Sequence, residues 1–160
     1  MKAEPQKEHD WLQSFVGDWI YEGECSMGPD QPSMKSGGSE TVRSLGGLWV
    51  VGDGTSKMPD GSPASTMITL GFDPRTGRFV GTWVGSMMTH LWIYDGALDD
   101  AGKVLTLDSV GPSFAGDGSM SKYQDIFTLR SRDHRILTSR AMDAEGQWNE
   151  FMTVHYRRKK

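Results

Sequence analysis

Acidic residues on otherwise apolar strand faces are the positions in this chain best placed to do chemistry. In "KYQDIFTL" Asp125 alternates with Tyr123, Phe127 and Leu129; in "QWNEFMTVHY" Glu150 alternates with Trp148, Met152, Val154 and Tyr156. Between these segments "RILTSRAMD" carries Arg140. If all three side chains point inward, adjacent strands bring two carboxylates to one guanidinium. An unpaired buried charge is costly, so such a triad persists only when its charges are matched, and it would then suit the polar head of a ligand. The competing placement leaves Asp125 and Glu150 in water, because both faces of these strands carry some apolar residues.

The histidines, His9, His90, His134 and His155, share no near spacing that would present two of them to one ion. His9 falls in a helical segment and His134 in the turn "RDHR", where solvent exposure is the simple expectation. His90 opens "HLWIYDG" in register with Trp92 and Tyr94, and His155 lies near the chain end in register with Phe151 and Thr153. No nucleotide loop, nucleophile elbow or HExxH pattern occurs, and the lone Cys25 allows neither an intrachain disulfide nor a thiolate cluster. The glycine pairs in "SGGSE" and "SLGGLW" lack the strand–loop–helix setting of a phosphate cradle. No catalytic constellation emerges, so a binding role is expected ahead of an enzymatic one.

Aromatic residues recur at strand spacing: Tyr21, Trp49, Trp83, Trp92, Tyr94, Tyr123 and Trp148. Such residues are more often core than pocket wall. Glycines nevertheless flank Trp83 in "VGTWVGS", which leaves room beside a large ring, and "GSMMTH" adds methionines suited to an adaptable apolar pocket. The candidate ligand-binding residues are therefore Tyr21, Trp83, Trp92, Tyr94, Tyr123, Asp125, Arg140 and Glu150.

The elements that must position them follow from punctuation. Twenty glycines beside six tryptophans suggest many short strands around a small aromatic interior. Only "EPQKEHDWLQSFVG" has helical spacing, with Pro5 suited to the first helical position and Gly17 to the stop, which predicts a short helix over residues 5–16. Residues 17–158 read as about ten strands, with "MGPDQPSMKSGG" as a loop between the first two. The turns "DPRTGR", "DDAGK" and "DAEGQ" place glycine where a hairpin needs positive φ, so successive strands should pair antiparallel. A meander of this length leaves two open edges unless it closes. The expected fold is all-β, a single domain over residues 1–160: an antiparallel up-and-down barrel with a short N-terminal helix over one mouth. A two-sheet sandwich is the competitor.

A net charge of −4 in 160 residues argues against a phosphate-binding protein; the basic tail "HYRRKK" reads as a solvated terminus, so no nucleic acid is expected. No apolar run reaches membrane-spanning length and no secretion leader is evident, which makes a cytoplasmic setting the simplest expectation.

The helix, "GDW" entering the first strand and a terminal "YRR" resemble the calycin superfamily, whose lipocalin-like barrels close one end with a tryptophan and a late arginine. "KEHDWLQSFVGDW", "MKSGGSETVRSLGGLWV", "TLGFDPRTGRFVGTWVGSMM", "LWIYDGALD" and "FMTVHYRRK" resemble, in order, the bacterial family called domain of unknown function 1579. The resemblance implies a lipocalin-like barrel and carries no catalytic residues. It implies that Trp19 points into the closed end as a plug, with Arg157 or Arg158 nearby, a stacking that suits guanidinium and indole. By analogy with such barrels, a small, largely apolar molecule is the expected partner. Two alternatives stand beside it. One is a haem protein using His90 or His155, as in ten-stranded barrels that resemble nitrobindin. The other is a filled barrel whose outer surface serves interaction, for instance in a homo-oligomer.

Overall fold

A computed structural model describes residues 2–26 and 31–160. Helix α1 (Lys7–Leu12) and a 3-10 turn (Gln13–Phe15) precede ten strands: β1 (Gly17–Cys25), β2 (Met34–Leu45), β3 (Trp49–Lys57), β4 (Pro63–Asp73), β5 (Arg78–Gly85), β6 (Trp92–Leu98), β7 (Val104–Pro112), β8 (Met120–Ser131), β9 (His134–Met142) and β10 (Trp148–Arg158). Each strand pairs antiparallel with its chain neighbour, and β1 pairs with β10, so the sheet closes. Closure excludes the sandwich and leaves no edge to template association.

Two boundaries differ from the sequence reading. The helix starts at Lys7, because Gln6 serves as the N-cap and Pro5 lies before it. Strand β2 starts at Met34, so "MKSGG" is ladder rather than loop: Met34 to Gly38 pair with Cys25 to Tyr21. Residues 27–30 of the expected loop lie outside the described residues. The hairpin turns behave as read. Asp73, Asp99 and Asp143 each accept backbone N–H bonds from their own turns, at 2.8–3.0 Å.

His9 is buried rather than exposed. Its Nδ1 accepts the Gln6 N–H at 2.8 Å, and its Nε2 donates to the Phe72 carbonyl at 3.0 Å. One imidazole thus caps α1 and ties it to β4. Trp11 Nε1 donates to the Gly102 carbonyl at 2.7 Å, a second tie across the same mouth. The helix is too short to persist alone, so these anchors and the burial of Leu12 and Phe15 hold it as the barrel's floor.

Trp19 is 2% exposed and donates from Nε1 to the Phe15 carbonyl at 2.9 Å. The guanidinium of Arg158 lies 4.2 Å from its ring centroid and donates to the Val16 carbonyl at 2.7 Å. Gly17, with φ +141°, is the turn that allows this approach, because a Cβ there would strike the Arg158 guanidinium. Arg157 does not take this place. Alternation turns it to the outer wall, where it stands 3.9 Å from Glu22.

Candidate ligand-binding site

Inward-facing side chains fill the barrel in layers above this floor. Leu70, Phe79, Leu105, Phe127 and Leu137 join Leu12, Phe15 and Trp19 in one apolar cluster at the closed end. A charged pair sits directly upon it. Arg135 of β9 donates from Nη2 to Glu40 Oε1 of β2, and both residues are buried, at 2% and 8% exposure. The guanidinium lies over the rings of Tyr156, Trp19, Phe15 and Phe127, 4.3–5.8 Å from their centroids. Its Nε and Nη1 have no hydrogen-bond partner, so aromatic faces stand where acceptors would. The Tyr156 hydroxyl above the pair is held well above its usual range, chiefly by burial.

The next layer belongs to Asp125. Tyr94 of β6 donates to its Oδ2 at 2.5 Å, and Ser139 of β9 donates to its Oδ1 at 2.6 Å. Tyr94 and Ser139 are sealed, at 3% and 2% exposure, whereas Asp125 retains accessible surface despite its depth in the wall. Burial raises the Asp125 carboxyl above its ordinary range, and the bonds from Ser139 and Tyr94 offset part of that rise. Burial and the neighbouring Asp125 charge push the Tyr94 phenol well up, which keeps it a proton donor.

Above Asp125 the lining turns aromatic toward the open mouth. The rings of His90, Trp92, Tyr123, Phe114 and Phe151 meet edge to face in sequence, with centroids 4.8–5.8 Å apart. The Trp92 ring lies flat on the wall over Gly111, and Tyr21 does the same over Gly38; a Cβ at either glycine would strike the ring. Tyr21, Trp83, Trp92 and Met152 are only partly buried although they face inward. Cys25 is a free thiol at this end, raised by partial burial.

Arg140 and Glu150 do not join Asp125. Strand β10 carries a β-bulge between Glu150 and Met152, and the extra residue, Phe151, reaches the aromatic rim. One inserted residue reverses the alternation, so Met152, Val154 and Tyr156 face inward while Trp148 and Glu150 face out. Arg140 shares that outer face, 5.0 Å over Trp148, and donates from Nε to Gln124 at 2.7 Å. The expected triad is therefore an inner carboxylate and two separate outer groups.

Neither His134 nor His155 enters the lumen. On the outer wall His134 Nε2 and His155 Nδ1 share a hydrogen bond at 3.0 Å with the rings stacked, so His134 is partnered rather than free in solvent. His90 stands at the rim, where Nε2 donates to the Val110 carbonyl at 3.0 Å and only Nδ1 remains. These placements do not fit a haem held inside the barrel by an axial histidine. Among the described residues no three metal-ligating side chains converge. Two hollows lie outside the lumen: one of about 230 Å³ beside Trp19 and Arg135 at the closed end, and one of about 420 Å³ on the outer wall beside Glu22, Glu24 and His155.

Sequence reading placed Asp125, Tyr94 and Tyr123 among the candidates and missed Ser139, Arg135 and Glu40. Arg135 and Ser139 share the phase of Leu137, and Glu40 that of Val42. That alternation is the signal that could have found them.

Solved structures share this barrel. The Rv2717c protein of M. tuberculosis is 13% identical, with 98% of this chain and 100% of that one covered and a TM-score of 0.66. The S-type phycobiliprotein lyase CPES of Guillardia theta is 11% identical, covering 98% and 99%, with a TM-score of 0.61. EF1p2_mFAP2b, solved bound to DFHBI, is 12% identical, covering 94% and 98%, with a TM-score of 0.50. At these identities the likeness speaks for the fold alone. No curated protein matches the chain. The family described as "Protein of unknown function (DUF1579)" matches residues 4–158, nearly the whole sequence, and the chain belongs to that family.

Proposed function

We propose that this protein binds a small, largely apolar molecule inside its barrel, with the polar end of the ligand at Asp125. The observation that carries this reading is the Asp125 carboxylate, which turns inward between Tyr94 on one flank and Ser139 on the other, on a residue only partly buried below the aromatic rim. The other buried carboxylate, Glu40, is met by the Arg135 guanidinium, whereas Asp125 is met by two neutral hydroxyls. The fold supports the reading by analogy, since EF1p2_mFAP2b is a barrel of this shape bound to DFHBI. The test is native mass spectrometry of the protein purified from its own host, paired with a tryptophan-fluorescence titration using octylamine and 1-octanol. A discrete added mass, and a saturable change in emission, are expected. A bare polypeptide mass together with no saturable response to either amphiphile refutes the proposal.

A further inference from the structure

We infer that the lumen selects a ligand bearing a cationic group, an ammonium in the simplest case, with Asp125 as its counter-ion. This rests on the lumen-binding reading and specifies its ligand class. Asp125 accepts one hydroxyl bond on each oxygen, which leaves each oxygen a further lone pair. None of the ion pairs among the described residues includes it. The two arginines that could serve are taken elsewhere. Arg135 is committed to Glu40 and to the rings around it, and Arg140 is on the outer wall against Trp148 and Gln124.

The two charged layers of the barrel therefore differ in kind. Arg135 and Glu40 neutralise one another below, whereas Asp125 stands alone above them. A lone carboxylate in an aromatic interior favours whatever brings a positive charge to it and repels an incoming carboxylate. The aromatic lining acts in the same direction, since ring faces such as those of Tyr21 and Trp92 carry negative electrostatic character that suits an ammonium. Tyr94 and Ser139 cannot substitute for a cation, because each donates a single neutral hydrogen bond.

Calorimetric titration with octylammonium, 1-octanol and octanoate tests this, since the three share a chain and differ in head charge. Octylammonium should bind at least tenfold more tightly than octanol, and octanoate most weakly. Asp125→Asn should bring octylammonium to the level of octanol. Attraction to the outer acids Glu22 and Glu24 would survive Asp125→Asn and fall in 0.3 M salt, and that pattern overturns the inference. Equal binding of octylammonium and octanol to the unsubstituted protein also overturns it while leaving the lumen reading intact. Failure of all three to bind removes this inference, and joined to a bare native mass it removes the lumen reading as well. The unsubstituted series decides the matter even where Asp125→Asn folds poorly.

Discussion

Replacing Arg135 by methionine should cost the barrel several kcal/mol of stability, and the structure sets the scale. The guanidinium is 2% exposed and is the ion-pair partner of Glu40, itself 8% exposed. Removing one member of a buried pair strands the other charge and costs about 3–5 kcal/mol. Loss of the contacts over Trp19 and Tyr156, at 4.4 and 4.3 Å, adds to that cost. Against it, the substitution also deletes Nε and Nη1, two buried donors without partners, and that returns roughly 1–3 kcal/mol. The net should lie near 3 kcal/mol. At about 2–4 °C per kcal/mol for a chain of this size, the melting temperature should fall by roughly 10 °C. Circular-dichroism melts and urea titrations with an unchanged m-value measure it. The double substitution Arg135→Met with Glu40→Leu should recover most of the loss, because neither charge is then left unpaired. A single-variant shift under about 2 °C, or a double variant no more stable than Arg135→Met, refutes the reasoning.

The remaining predictions concern the lumen. In Gly111→Ala the new Cβ strikes the Trp92 ring and lifts it from the wall into the axis; the variant should lose about 1–3 kcal/mol and bind octylammonium more weakly, and unchanged binding would mean that Trp92 does not line the site. The pH dependence of Asp125→Asn has a defined sign. Because burial raises the folded-state pKa of Asp125 above its ordinary 3.8, folding favours the protonated form; that stabilisation is complete below the ordinary value and is lost as pH rises through the raised one. Asparagine carries no such loss, so the melting temperature of Asp125→Asn relative to the unsubstituted protein should climb as pH rises above the ordinary 3.8, and a difference that stays flat or falls contradicts the assignment.

The barrel was legible because its signals are local. Period-two alternation marks the strands, and Asp-to-Gly turns such as Asp73–Gly77 and Asp143–Gly146 force antiparallel return. Closure is the remedy for two open edges that a sequential meander most directly allows, and the pairing of β1 with β10 decides it over the sandwich. The start of β2 was hidden for the converse reason. "MKSGG" has no apolar period, yet its backbone completes the ladder with β1, and Gly38 is needed there because Tyr21 rests upon it. A ladder needs N–H and C=O groups, which every such sequence supplies, so polarity alone is no argument for a loop.

The charged interior was harder to read, for two distinct physical reasons. Glu150 was misplaced because alternation is only as good as its phase, and the bulge at Phe151 reverses that phase within one strand. Nothing in "NEFM" announces the bulge; the gain that supports it is the contact of Phe151 with Phe114 on another hairpin, 4.9 Å between centroids. Arg135 was missed because Ile136 and Thr138 make the outer face of β9 as apolar as the inner one, so period two does not say which face is wet. Its partner Glu40 lies 95 residues away, and no local pattern couples them. Asp125 escaped both problems, since Tyr123, Phe127 and Leu129 fix its face and no bulge intervenes between Tyr123 and Leu129. The two buried charge arrangements differ in what balances them. Where an arginine and a glutamate converge from distant strands, as Arg135 and Glu40 do, each supplies what the other lacks. Asp125 has two neutral donors and no cation among the described residues, and on the inference above a ligand's positive group supplies the balancing charge.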